Sequence, residues 1–157
     1  MNNSVQYMVS VRLMTFNHDK FIKKAMDGIM MQKTSFSVEV IVGDDFSVDR
    51  TLSIINEYSD TENIHIKVLD RPLKGEYLAD RQKYGRLYNF ENILDNCTGK
   101  YTALLDGDDY WIDPNKLNDQ VNFLENNKDY AGVCHNANIV YENWNSAYAV
   151  KKAREKG

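Results

Sequence analysis

The chain is poor in the residues that most often announce a chemistry. Of its 157 residues only two are cysteine and three histidine. Cys97 and Cys134 lack the paired spacing of a zinc site and do not make a disulfide framework. Both read as small packing groups in a reducing setting. His18, His65 and His135 are scattered, at no spacing that suits a metal or a nucleophile, and are weak catalytic candidates. No apolar run approaches about 18 residues, so no transmembrane helix is expected. The start, Met1 to Val5, has no basic stretch followed by an apolar one, so no signal peptide is read there. The expected location is cytoplasmic, with peripheral contact to a membrane left open. A formal net charge of −4 argues against the general basic footprint of a nucleic-acid binder.

What is present is an ordinary globular composition, 43% hydrophobic and 27% charged, and a length that suits one domain over residues 1–157. Apolar runs alternate with helical patterns. Tyr7 to Met14, Val38 to Val42, Ile64 to Leu69 and Lys100 to Leu105 read as strands. Helices are expected over His18 to Met31, from a cap at Asp49 to about Tyr58, over Asn89 to Cys97, and from Asp113-Pro114 onward. Residues 70 to 88, polar and rich in Arg, Lys and Tyr, read as a long loop with at most a short helix. Ala131 to Cys134 and Asn138 to Tyr141 read as short strands, and residues 151–157 as a frayed charged end. Strand and helix in alternation predict an α/β layered domain with a mainly parallel sheet.

In such open sheets ligands bind beyond the carboxyl ends of the strands. Three strand ends here carry polar clusters: Thr15-Phe16-Asn17, Asp44-Asp45-Phe46-Ser47, and Asp106-Gly107-Asp108-Asp109. The last is the most informative segment of the chain. Three carboxylates this close repel one another and raise each other's pKa unless a positive charge sits among them. A hard divalent cation, Mn2+ or Mg2+ carrying substrate phosphates, is the usual answer. The plain alternative is an acidic turn capping the next helix, but Asp113-Pro114 already serves there.

Asp45 is the candidate for accepting a hydrogen bond from a base or ribose, while its neighbour Asp44 is left to capping or solvent. Phe16 can lie against a nucleobase or belong to the core. Arg71, Lys74, Arg81, Lys83 and Arg86 crowd the polar segment and suit a diphosphate, although a charged loop is as often merely solvated. Lys74, beside Gly75, and Arg81 are the two retained as candidates.

These motifs together resemble the donor-binding half of a GT-A family 2 glycosyltransferase, over about Val9 to Asn136. Val-Ser-Val-Arg-Leu-Met-Thr-Phe-Asn, residues 9 to 17, is similar to the family's opening strand, which usually ends Pro-Thr-Tyr-Asn. Residues 42 to 51 resemble its Asp-Asp-x-Ser-x-Asp-x-Thr element, and residues 99 to 111 its Gly-x-Tyr-x-x-x-Leu-Asp-x-Asp-Asp box. The resemblance implies a GT-A, Rossmann-like three-layer sandwich. It implies that Thr15, Phe16, Asn17, Asp45 and Ser47 line the nucleotide site, with Thr15 and Asp45 on the base. Asp106 and Asp108 would be the Asp-x-Asp pair holding Mn2+ or Mg2+ on the diphosphate, with Asp109 a further possible ligand. The implied partners are a nucleotide-diphosphate sugar, UDP-linked by default, and a saccharide or lipid-linked acceptor. The implied reaction inverts the anomeric carbon, as in cell-surface polysaccharide synthesis.

Three departures stand out. Met14 replaces the common proline. Asn89-Phe90-Glu91-Asn92 stands where the family carries Ala-Arg-Asn. The family's general base lies well after the acidic box, and no carboxylate of this chain is nominated for it. The expectation is therefore a chain that binds donor and transfers sugar poorly, or a non-catalytic nucleotide-sugar-binding module. A haloacid-dehalogenase-like phosphatase is the weaker alternative, because its Asp-x-Asp comes early in the chain.

Overall fold

The structure, a computed structural model, describes residues 7–140. Four strands, β1 (Val9–Thr15), β2 (Val38–Asp44), β3 (Ile64–Val68) and β4 (Tyr101–Asp106), form one sheet in the order β3-β2-β1-β4. Every pairing is parallel. The helices are α1 (Ile22–Met30), α2 (Thr51–Ile55), α3 (Glu76–Tyr84), α4 (Arg86–Asp95) and α5 (Lys116–Asn126). This is the α/β layered architecture expected from the alternation of elements.

The two faces of the sheet differ in chemistry. One is apolar: Val9, Val11 and Leu13 of β1 and Val38, Val40 and Val42 of β2 are buried against Ile22, Ala25, Met26 and Ile29 of α1, with Leu117 and Val121 of α5. Alternation puts the remaining strand residues on the opposite face. There Ser10, Arg12 and Glu39 are buried beside a smaller apolar cluster of Ile41, Leu69 and Ile93. Helix α4 is the element that covers this face, contacting β1 and β2.

Three expectations are corrected. Residues 70 to 88 are mostly helical, with α3 nine residues long and α4 starting at Arg86. Helix α3 buries no side chain, so its sequence carries no apolar period to read. Gly85, at φ 72°, separates α3 from α4 in a conformation that a side chain would disfavour. The strands expected at 131–134 and 138–141 are not formed among the described residues; Val133, Ile139 and Val140 are exposed and find no ladder partner. Helix α5 begins at Lys116 rather than at Pro114, although Asp113 does turn back to accept the Asn115 amide at 2.9 Å. Tyr141 and the frayed end expected at 151–157 lie outside the described residues.

Candidate functional site at the carboxyl ends of the strands

Register brings the three polar clusters together. Thr15 pairs with Asp44, and Met14 with both Gly43 and Asp106, so the ends of β1, β2 and β4 are level. The ladder continues past them: the Asp45 amide donates to the Thr15 carbonyl, and the Gly107 amide to the Met14 carbonyl, each at 2.8 Å. The order 3-2-1-4 reverses beside β1, the position where open α/β sheets hold ligands.

A cavity of about 510 Å³ opens there. Its walls include Thr15, Phe16, Asp45, Arg81, Asp106 and Asp108 of the expected set, joined by His18, Phe46, Gln82 and Arg86. Phe16 is about half exposed and can offer its ring to a ligand. Lys74 is exposed on the segment before α3 and does not line the cavity. Asn17 and Ser47 do not line it either; they lace its loops. The Asn17 amide donates to Ser47 Oγ at 2.8 Å, and Asn17 Oδ1 accepts the Val48 amide at 2.9 Å. Asn17 and Phe46 both adopt positive φ, 53° and 63°, on the two loops being joined. For Phe46, on the cavity wall, that is a strained conformation.

The paired acids of the second cluster divide the work. Asp44 is buried and turned inward, accepting the Ser47 amide at 2.8 Å and the Ser47 hydroxyl at 2.5 Å. Burial pushes its carboxyl up, against the pull of those bonds. Asp45 faces the cavity and is held by Arg81 in a two-bond fork, Nε to Oδ1 at 2.7 Å and Nη2 to Oδ2. The Arg81 guanidinium is pushed up by its bonds to Asp45. Behind this pair, Asn89 takes two donors on Oδ1, Arg71 at 2.9 Å and the Tyr77 hydroxyl at 3.0 Å, while its amide donates to the Gly43 carbonyl at 3.0 Å. Buried Asn89 thereby joins α3, α4 and β2.

In the acidic loop, Gly107 is pressed against β1. A Cβ there would lie 2.7 Å from both Thr15 Oγ1 and His18 Nδ1, so only glycine lets the loop approach. Asp106 and Asp108 flank it on the cavity wall. Asp109 lies outside the lining; burial, then the charges of Asp108 and Asp106, push its carboxyl up. Among the described residues no three His, Cys, Asp or Glu side chains converge as a ready metal cage. Two wall carboxylates, Asp106 and Asp108, suit a hard cation that completes its shell with phosphate oxygens and water. The donor set therefore fits Mn2+ or Mg2+ arriving with a diphosphate.

Sequence reasoning missed one residue of the site's foundation. Arg12, in the middle of β1 and 4% exposed, donates from Nη1 to Asp106 Oδ1 at 2.7 Å. Phe90 of α4 lies 4.7 Å from its guanidinium. His18, set aside on spacing, also reaches the wall, and its Nδ1 is buried without a hydrogen-bond partner, as is Thr15 Oγ1.

A parallel α/β sheet with helices on both faces and a cavity at its strand ends is the layout of a doubly wound α/β domain, whose ligands bind at that edge. The sequence pattern of Glycosyl transferase family 2 matches residues 10–154, and the chain belongs to that family. Rv1520 of Mycobacterium tuberculosis is 36% identical over 134 residues, 85% of this chain and 36% of that protein. The Escherichia coli UDP-Glc:alpha-D-GlcNAc-diphosphoundecaprenol beta-1,3-glucosyltransferase WfaP is 31% identical over 77% of this chain and 43% of its own length. Among solved structures, S. aureus TarS 1-349 in complex with UDP-GlcNAc superposes with a TM-score of 0.58 at 27% identity, over 76% of this chain and 32% of that one. The mannosyltransferase PcManGT from Pyrobaculum calidifontis, in complex with GDP-Man and Mn2+, shares the fold at 22% identity and TM-score 0.57. The chain thus spans 36% to 43% of the length of these two curated relatives.

Proposed function

We propose that the chain forms the donor-binding part of a glycosyltransferase that takes its sugar from a nucleoside diphosphate, UDP by preference, and that the cavity at the strand ends is the nucleotide site. The observation that carries this reading is the convergence of Asp45, Asp106 and Asp108 on one cavity from two strand ends 61 residues or more apart in sequence. The cavity volume suits a small ligand. A relative that acts on UDP-Glc and a structural neighbour that holds UDP-GlcNAc support the choice of nucleotide.

In this reading Thr15, Phe16 and Asp45 receive the base, with the Phe16 ring available for stacking. Asp106 receives the ribose, and Asp108 holds a divalent cation on the diphosphate. When bound, that cation supplies Lewis-acid stabilisation of the departing nucleoside diphosphate. Arg81 and Arg86, on the same wall, carry positive charge suited to the remaining phosphate oxygens. The sugar passes with inversion to a saccharide or lipid-linked acceptor, with a general base from outside these residues.

Calorimetry of the chain with UDP, GDP and dTDP, each with and without Mn2+, tests the site. UDP should bind best, and Mn2+ should tighten it at least fivefold. Asp108→Ala should abolish the Mn2+ effect and leave the fold intact. Equal heats for the variant and the parent would remove the metal role, and no heat with any nucleotide would remove the donor site.

A further inference from the structure

Clustered carboxylates need a positive charge among them. The structure supplies one from within the chain. Arg12 sits on β1, between β2 and β4, and its side chain is 5% exposed while that of Asp106 is 44% exposed. The guanidinium is held between the Phe90 ring at 4.7 Å and Asp106 Oδ1 at 2.7 Å. Its Nε is buried without a partner. A charge placed there at such desolvation cost, with a single carboxylate in reach of its bond, has one evident effect: it fixes that carboxylate. Asp106 is the bond partner, and it is also a cavity-wall acid. Asp108, one glycine away, has no such partner among the described residues and is exposed.

We propose that Arg12 is a positioning residue, a built-in counter-ion that orients Asp106 as a fixed hydrogen-bond acceptor for the nucleotide without help from a divalent cation, leaving Asp108 as the carboxylate open to one. The two acids of the Asp-x-Asp pair are then unequal before any ligand arrives. Asp106 has one oxygen committed to the guanidinium and a reduced demand for metal. Asp108 keeps its oxygens open for the cation. This inference rests on the donor-site reading for its ligand, but the asymmetry itself belongs to the ligand-free chain.

The test is a double-mutant cycle in UDP affinity on the folded chain, with and without Mn2+, using Arg12→Met, Asp106→Asn and the pair together. Each single change should weaken UDP about tenfold or more under both conditions, and the double variant should be within about threefold of the worse single. Arg12→Lys should recover part of the loss. Arg12→Met that folds cooperatively and binds UDP like the parent overturns the proposal, as do losses that multiply in the double variant. If Arg12→Met does not fold, Arg12→Lys and Asp106→Asn carry the comparison. If the parent binds no nucleotide, the donor-site reading falls and Arg12 is judged on carboxyl 13C resonances alone. Arg12→Lys should then move the Asp106 signal and spare that of Asp108, and an unmoved Asp106 signal overturns the proposal.

Discussion

The two ends of the sheet treat a carboxylate in opposite ways. At the amino-terminal end Glu39, 6% exposed, is held through one carboxylate oxygen by neutral donors. Its Oε1 accepts the Ser10 hydroxyl and the Thr98 amide at 2.5 Å, the Thr98 hydroxyl at 2.9 Å and the Gly99 amide at 3.1 Å. Gly99 also donates to Ser10 Oγ at 2.7 Å, so this acid ties the entry of β4 to β1 and β2. At the carboxyl end Asp45, Asp106 and Asp108 line a cavity, two of them held by arginine and one exposed. The buried acid at the first end holds the fold together; at the second, arginines orient Asp45 and Asp106 on the cavity wall and Asp108 stays open to a ligand. The same carboxylate group at two ends of one sheet thus separates architecture from chemistry.

The largest expected effect breaks the architectural end. Glu39→Ala strips the acceptor from four donors, and should cost about 3 kcal/mol of stability in urea unfolding. Nucleotide affinity per folded molecule should change less than twofold. A large loss of affinity with stability intact would erase the distinction between the ends.

Gly107→Ala attacks the hinge between architecture and chemistry. The added Cβ meets Thr15 Oγ1 and His18 Nδ1 at 2.7 Å, so the acidic loop must lift off β1. Overpacking of this kind costs about 1–3 kcal/mol. Here UDP affinity should fall about tenfold as well, because Asp106 and Asp108 move with the loop. Unchanged binding in calorimetry would show that the loop's close approach does not set the site.

Asp45→Ala sharpens the comparison from the chemical side. Loss of the largely buried Arg81 fork should cost about 2 kcal/mol of stability, less than Glu39→Ala costs. UDP should nevertheless weaken about fivefold, and the preference for UDP over GDP should shrink. A stability loss larger than that of Glu39→Ala, with nucleotide preference retained, would recast Asp45 as a structural acid.

Much of this arrangement was legible in the sequence, and the parts that were not share a cause. The strands announce themselves because a parallel strand covered on both faces is a continuous apolar run, as in Val40-Ile41-Val42. Thr15, Asp45, Asp106 and Asp108 could be grouped because a parallel sheet places strand ends on one edge whatever their separation. Helix α3 was hidden because it buries nothing and its hold on the domain, Arg81 on Asp45 and Tyr77 on Asn89, is polar and non-local. Arg12 was hidden for the same reason, with its partner 94 residues away. A charged residue inside an apolar strand pattern, Val9-Ser10-Val11-Arg12-Leu13, was the available signal: a buried guanidinium demands an acid, and the strand end of β4 offered one. In the other direction, the apolar residues of 131–140 suggested strands because composition alone does not reveal whether a neighbouring edge is there to receive them.

Lys116 provides the smallest effect and a third treatment of partly buried charge, a cation with no carboxylate on it among the described residues. Its Nζ donates to Gln120 Oε1 at 2.7 Å and lies 4.2 Å from the Trp111 ring centre. Burial pushes its ammonium down to about 8 from an ordinary 10.5. Below pH 8 the folded and unfolded chains both carry the proton, and the desolvation penalty is present in full. Between about 8 and 10.5 the folded chain releases the proton while the unfolded chain keeps it, so stability rises with pH across that window. Lys116→Met should therefore be more stable than the parent at pH 7, with the gap closing as pH climbs from 8 to 10.5. Urea midpoints for the two proteins measured across that range decide it. Parallel curves would mean that the Trp111 ring face compensates the lost hydration completely, and that the contrast between paired and unpaired buried charges in this domain is smaller than Arg12 and Glu39 suggest.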